Sequence, residues 1–358
     1  MRKLPIGIQG FQGLRHDGYL YVDKTEYIYQ LVHTGRQFFL SRPRRFGKSL
    51  LLSTMKSYWQ GKKELFQGLK IEELEDGNPE AWKSHPVFYF DFNRDNYKKE
   101  KALESILDVH LKEWEKLYGC EDPDASLAVR FQHLLVRAFQ QTGLRCVVLV
   151  DEYDKPLLEG MGDSGREERD KAVYKGFFST LKSFDEYLEF VFITGVTKFE
   201  KVSIFSDLNQ LNDISLTEGY SGVCGITEGE LLDNFRPEIE ATAAKRKMSF
   251  EECLQILTKR YDGYRFHPDG VRVYNPLSLL KVFYGKDFGS YWFETGTPTF
   301  LVKKLKQERF DVRRLTDRTL YATEAMLSDY RADNPDPVPL LYQTGYLTIA
   351  DYDEKRRR

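Results

Sequence analysis

Two short stretches, far apart in the chain, hold the side chains best suited to chemistry. The first is Gly47-Lys48-Ser49, inside the run QFFLSRPRRFGKSLLLSTMKSY from Gln37 to Tyr58. Phe38-Phe39-Leu40 forms a short apolar run, a turn rich in Pro and Arg follows, and the Gly-Lys-Ser then opens a helical pattern. That layout suits a phosphate-binding loop. Backbone N–H groups and a helix N-terminus surround the phosphates, Lys48 neutralises the outer oxygens, and the Ser49 hydroxyl reaches Mg²⁺. The full pattern has a glycine where this chain places Arg42, followed by Pro43, so the match is partial. The second stretch is Cys146-Val147-Val148-Leu149-Val150-Asp151-Glu152. Five apolar residues are too few for a helix and read as a buried strand. Two carboxylates follow at its C-terminal end, where open α/β sheets place ligands. Asp151 is assigned to the metal, and Glu152 to orienting or deprotonating a water. The plain alternative is a solvated acidic turn, with Asp154 as one more acid.

Stepping outward, the elements needed to position these residues can be read on either side. Tyr19–Val22 is strand-like, and Asp23-Lys24-Thr25 can cap a helix from Glu26 to Thr34 or line the base of a nucleotide. Leu50, Leu51, Leu52, Met55, Tyr58 and Trp59 predict a helix from Lys48 to Gln60 packed on a sheet. Val87–Phe92 is a strand, helices follow over Lys99–Tyr118 and Ala125–Thr142, and Gly143 leads into the acidic strand. A strand inserted between the phosphate-loop strand and the acidic strand marks the ATPase branch that keeps a catalytic Glu beside the Mg-site Asp, and Val87–Phe92 is read in that place. Pro156, Gly160, Gly162 and Gly165 mark a loop ahead of a helix over Arg166–Phe184. Phe190–Ile193 is a strand ending in Thr194, the first choice for a γ-phosphate sensor, with Thr197 the second; a Thr that simply ends a strand is the alternative. Phe205–Leu216 reads as packing under the sheet edge.

From Ile226 the pattern turns helical. Thr227 and Glu230 form a capping box, with helix Glu228–Phe235 stopped by Pro237 and a second helix over Ser249–Tyr261. Val271–Tyr274 alternates like a hairpin arm, Asn275-Pro276 starts another helix, Thr316–Asp329 reads as helical, and Leu340–Ile349 as helix end, turn and strand. The expected domains are 1–222 and 223–358, the second continuing into a further C-terminal domain.

Composition bounds the function. At 358 residues the chain has room for two cores, and a net charge of −2 with 30% charged residues gives no basic footprint for nucleic acid. Four scattered cysteines make no C-x-x-C pair and the six histidines no metal spacing. No apolar run approaches ~18 residues and no signal peptide is recognisable. A cytoplasmic protein without membrane spans is expected.

Taken together, YVDKT at 21–25, RPRRFGKS at 42–49, VVLVDEYDKPL at 147–157, FITGVTKF at 192–199 and YDGYRF at 261–266 resemble the prokaryotic AAA-ATPase-like family. Many of its members carry a PD-(D/E)XK nuclease-like domain at their C-terminus. The resemblance implies an α/β P-loop NTPase fold, AAA-like, with a parallel sheet flanked by helices and followed by a mostly helical lid or winged-helix-like module. It implies ATP and Mg²⁺ held by the loop Arg44, Arg45, Phe46, Gly47, Lys48, Ser49 and Leu50, with Ser49 and Asp151 on the metal. Glu152, Lys48 and Thr194 would do the catalysis, and Arg42 in place of glycine is the family's own form of the loop. No nuclease constellation is present in this chain. Arg44 or Arg45 is expected to touch the nucleotide, and Arg265 is a candidate lid residue. Two functions compete: Mg-dependent ATP hydrolysis coupled to movement of the C-terminal module, and an ATP-gated switch or scaffold with little turnover that works through a protein or nucleic-acid partner.

Overall fold

The computed structural model describes residues 2–97, 99–198, 210–291, 299–316, 320–328 and 336–353. Its centre is a five-stranded parallel sheet in the order β2-β3-β4-β1-β5. The strands are β1 Gln37–Ser41, β2 Val87–Asp91, β3 Cys146–Asp151, β4 Leu188–Gly195 and β5 Asn212–Asp213. All six residues of β3 are buried, as a strand covered on both faces requires. Alternate residues divide between two cores. Val148 and Val150 join Phe39, Phe88, Phe90, Val191 and Ile193 under helices Ala102–Tyr118, Leu127–Thr142 and Ser164–Phe178. Val147 and Leu149 join Phe38, Leu40, Phe190 and Phe192 against helices Thr25–Thr34 and Lys48–Trp59. The abundant phenylalanines and tyrosines supply much of this mass, as in the edge-on contacts of Phe90 with Trp114 (4.8 Å) and Phe131 (5.4 Å).

A third core is formed by helices Glu228–Arg246, Phe250–Tyr261 and Pro276–Gly285, with Leu231, Phe235, Leu257, Leu279 and Phe283 at its centre. Leu4, Ile6, Leu20 and Val22 from the N-terminal segment lean on it. Capping boxes begin two of these helices, Thr227 with Glu230 and Ser249 with Glu252. Beside them β6 Tyr264–Arg265 and β7 Arg272–Val273 pair antiparallel. Further on, Phe300, Leu301, Leu340 and Leu341 return to the first core.

Several elements differ from the sequence reading. The strand lying between the phosphate-loop strand and the acidic strand is β4, and Val87–Asp91 stands at the sheet edge. Chain order cannot show this, because a crossover carries β4 back between its predecessors. Pro237 does not stop its helix, which runs unbroken from Glu228 to Arg246 with Leu231, Phe235, Ile239 and Ala243 buried along it. Packing outweighs the single hydrogen bond that proline removes. The stretch read as a loop after Asp154 holds a short helix, Lys155–Gly160. Tyr19–Val22 makes only an isolated bridge, Tyr19 with Lys3. Beyond helix Val338–Gln343 the chain turns, and Tyr346–Ile349 pairs with no strand among the described residues. Of Phe205–Leu216, residues 205–209 lie outside the described residues and Asn212–Asp213 forms the edge strand β5. Of the helix read over Thr316–Asp329, Glu324–Ser328 is helical and residues 317–319 and 329 lie outside.

Candidate functional site

Because every strand is parallel, their C-terminal ends lie along one edge of the sheet. Register then sets the chemistry: Leu40 of β1 faces Thr194 of β4, Val150 of β3 faces Ile193, and Asp91 of β2 faces Asp151. The loop after β1 and the acids after β3 therefore flank the end of β4, the crevice where open α/β sheets bind ligands.

The loop keeps its shape without the first glycine. Arg42, 1% exposed, donates through Nη1 to Ser41 O (2.9 Å) and Ser215 O (2.7 Å) and through Nη2 to Tyr220 O (3.0 Å). Its guanidinium also lies 3.9 Å from the centre of the Phe266 ring. Burial lowers its pKa. This arginine is structural and points away from the cleft. Arg45 (φ 67°) and Gly47 (φ 101°) adopt left-handed backbone. A Cβ on Gly47 would meet nothing within 4 Å, so backbone angle, not crowding, favours glycine there. Phe46 packs edge-on against Tyr264 (4.8 Å) and Phe266 (5.7 Å), and its carbonyl accepts from Gly225 N–H (2.9 Å). YDGYRF, a distant motif, is thereby part of the loop's scaffold.

Lys48 is buried, and its ammonium donates to Arg42 O (2.9 Å) and Pro43 O (3.2 Å). Asp151, 2% exposed, is held by two hydroxyls: Thr194 donates to Oδ1 (3.0 Å) and Tyr89 to Oδ2 (3.4 Å), while Ser49 and Lys48 lie near it from the loop. Burial raises the pKa of Asp151; Ser49, Lys48 and Thr194 oppose that and Glu152 adds to it. Thr194 is fully buried and also donates to Val150 O (3.3 Å), so it braces Asp151 from behind. Glu152 turns out of the strand at φ 52°, an uncommon angle for a residue with a side chain, of the kind found at functional turns.

A cleft of about 440 Å³ opens over this edge. Arg44, Arg45, Phe46, Gly47, Lys48, Ser49 and Leu50 line it from the loop, and Glu152, Lys155 and Asn93 from the far side. Its apolar end is bounded by Leu20 and Val22 of the N-terminal segment and by Leu277 and Leu280 of the third core. Among the described residues no cluster of three or more His, Cys, Asp and Glu is arranged to cage a metal. A serine hydroxyl facing one buried carboxylate is instead the donor set that suits Mg²⁺ when phosphates and water complete its shell, so these residues fit that ion.

Other sequence candidates lie elsewhere. Thr197 is fully buried and donates through N–H and Oγ1 to Asp154 (2.7 and 2.8 Å). Asp23 and Thr25 accept from the N–H groups of Lys70 (2.7 Å) and Ile71 (3.0 Å), and so hold the start of helix Lys70–Leu74 while their neighbours Leu20 and Val22 line the cleft. Arg265 lies outside the cleft lining, its N–H donating to Thr348 Oγ1 (2.8 Å) and its Nη1 to Ala350 O (3.5 Å). Tyr89 was missed, since nothing in a strand sequence announces a tyrosine aimed at the next strand's terminal acid. Asp154, one more acid of the turn that the plain alternative leaves solvated, is fully buried. No helix among the described residues is long and apolar enough to cross a membrane.

A family model described as Predicted AAA-ATPase matches residues 5–205. A protein of Azotobacter chroococcum mcd 1 with the name "Uncharacterized protein in vnfD 5'region" is 39% identical over 351 residues, which cover 97% of this chain and 64% of that protein. The chain thus spans less than two thirds of that curated relative. No solved structure matches the chain. The loop and the acidic strand both fall inside the matched region, and the chain belongs to this family of predicted AAA-ATPases.

Proposed function

We propose that the chain binds Mg-ATP in the cleft and hydrolyses it. The observation that carries this reading is that Lys48, Ser49 and Glu152, from distant parts of the chain, line one cleft, with the buried Asp151 close enough to feel all three. Mg²⁺, when bound, would supply charge that offsets the phosphates. Ser49 and Asp151 would hold that ion. Lys48 would exchange two loop carbonyls for phosphate oxygens, and Arg44 and Arg45 would add charge at the rim. Glu152 takes the proton of the attacking water as the water oxygen bonds to the terminal phosphorus and the bridging P–O bond breaks, giving ADP and phosphate. Thr194 acts through Asp151 by fixing its orientation. Residues 223–285 would act as a lid, because Leu277 and Leu280 close the apolar end of the cleft.

A second reading, an ATP-gated switch with little turnover working through a partner, draws on the same cleft, whose walls come from both the sheet and the third core. Two variants separate the readings. Lys48→Ala should abolish the rise in melting temperature that Mg-ATP produces; an unchanged rise would sink the site. Glu152→Gln should keep ATP binding but release phosphate ~10²-fold more slowly or worse. Equal near-zero rates in Glu152→Gln and the native chain, with binding intact, would favour the switch.

A further inference from the structure

The segment Asp151-Glu152-Tyr153-Asp154-Lys155 alternates between two environments. Glu152 and Lys155 line the cleft, whereas Tyr153 and Asp154 are fully buried between them. Tyr153 is fixed at both ends: its N–H donates to Thr194 O (3.0 Å) and its hydroxyl to Thr197 O (3.0 Å). Asp154 accepts from the N–H groups of Val196 (3.0 Å) and Thr197 (2.7 Å) and from Thr197 Oγ1 (2.8 Å). A Cβ on Gly195 would come within 2.8 Å of Asp154 Oδ1 and 2.7 Å of the Tyr153 ring, so β4 and this turn approach as closely as their atoms allow. Lys155 opens the short helix Lys155–Gly160, with Pro156 in its first turn. The turn is therefore a rigid mount with two charged side chains projecting from it.

One of them, Glu152, has its part in the proposed reaction. The other, Lys155, shares the cleft lining with Asn93 and Glu159. The ammonium of Lys155 reaches a single acceptor among the described residues, the carbonyl of Asn93 at 3.2 Å, itself on the cleft wall, and it makes no ion pair there. The sheet supplies the scale. With β4 between them, β1 and β3 are two strand spacings apart, ~10 Å, and the segments that follow these two strands bring Lys48 and Lys155 to the lining of one cleft.

Resting on the ATP-site reading above, we infer that Lys155 contacts the terminal phosphate, supplying a second cation opposite Lys48 as negative charge moves during P–O cleavage. It neither gives nor takes a proton in the step; the water proton goes to Glu152 as before.

The test uses the 358-residue chain and its variants Lys155→Ala and Lys155→Arg. Melting temperatures are compared with no nucleotide, with Mg-ADP and with Mg-ATP, and phosphate release is followed in parallel. The inference expects equal melting points without nucleotide and equal ADP responses. It expects the extra stabilisation by ATP over ADP to vanish in Lys155→Ala and largely return in Lys155→Arg, with turnover ~10²-fold lower in the alanine variant. A native ATP-over-ADP difference that survives intact in Lys155→Ala overturns the role of Lys155 and leaves the site standing. A native chain that responds to neither nucleotide overturns the site itself.

Discussion

Asp154 shows how a single side chain can hold a site without touching ligand. Its carboxylate is wholly buried and receives three donors from the end of β4, and burial raises its pKa against the pull of Thr197. Replacing it by alanine leaves two backbone N–H groups and a hydroxyl without acceptors in the interior. The expected cost is ~2–4 kcal/mol, read as a lower denaturation midpoint with an unchanged slope. A loss under ~0.5 kcal/mol would mean that water replaces the carboxylate at little cost. Arg42 is a parallel case. By residue type both look like solvated charges, and charged residues are seldom fully buried. Their roles were hidden in the sequence because they depend on carbonyls and N–H groups contributed by remote segments.

At the scale of elements, helix Ala102–Tyr118 brings His110 into the first core. It is 1% exposed, stacked on Trp114 (5.6 Å), edge-on to Phe90 (5.6 Å), with Nε2 3.3 Å from Asp91 N and 3.4 Å from Asp91 O. Burial lowers its pKa; Arg94 adds to that, while the Asp91 backbone, Glu113 and Asp91 oppose it. The sign follows directly. The unfolded histidine takes a proton near pH ~6.5 and the folded one only at lower pH, so stability present above that value is lost on acidification, by up to ~1.4 kcal/mol per pH unit. The stability gap between native protein and His110→Phe should therefore narrow from pH 7 to pH 5 in denaturant titrations, and a constant gap would refute differential protonation. Elements with strong local signals could be read from the sequence. Five apolar residues ahead of Asp151 made β3, and Thr227 with Glu230 made a helix start. Sheet order could not be read, since it is decided by which crossover packs where, and the run through Pro237 was obscured because buried leucine, phenylalanine and isoleucine contacts outweigh a local breaker. Within the site, Lys48 and Ser49 stood out as part of a Gly-Lys-Ser that opens a helix, and Asp151 and Glu152 as acids at the end of an apolar run. Tyr89, in the middle of a strand, did not.

For the molecule as a whole, the N-terminal segment and the third core are tied by Lys24, whose ammonium reaches Glu230 (2.6 and 2.7 Å) and Gly222 O (2.7 Å). Burial lowers the lysine's pKa and Glu230 raises it. The same carboxylate accepts from Thr227 N–H (2.8 Å), so one glutamate serves both the helix cap and the tie beside the cleft. Glu230→Leu should destabilise by ~2–4 kcal/mol, and adding Lys24→Met should recover part of that, measured by a double-mutant cycle over the two single variants and the pair. Additive losses would show that the two residues act separately. Arg42 has a wider consequence. The family match spans residues 5–205, yet Arg42 is bolted to Ser215 and Tyr220 and covered by Phe266, all beyond it. A chain cut at the border of that match would keep every residue proposed to touch phosphate and forfeit the brace that shapes them, so the motif cannot be transplanted without its far-off keystone.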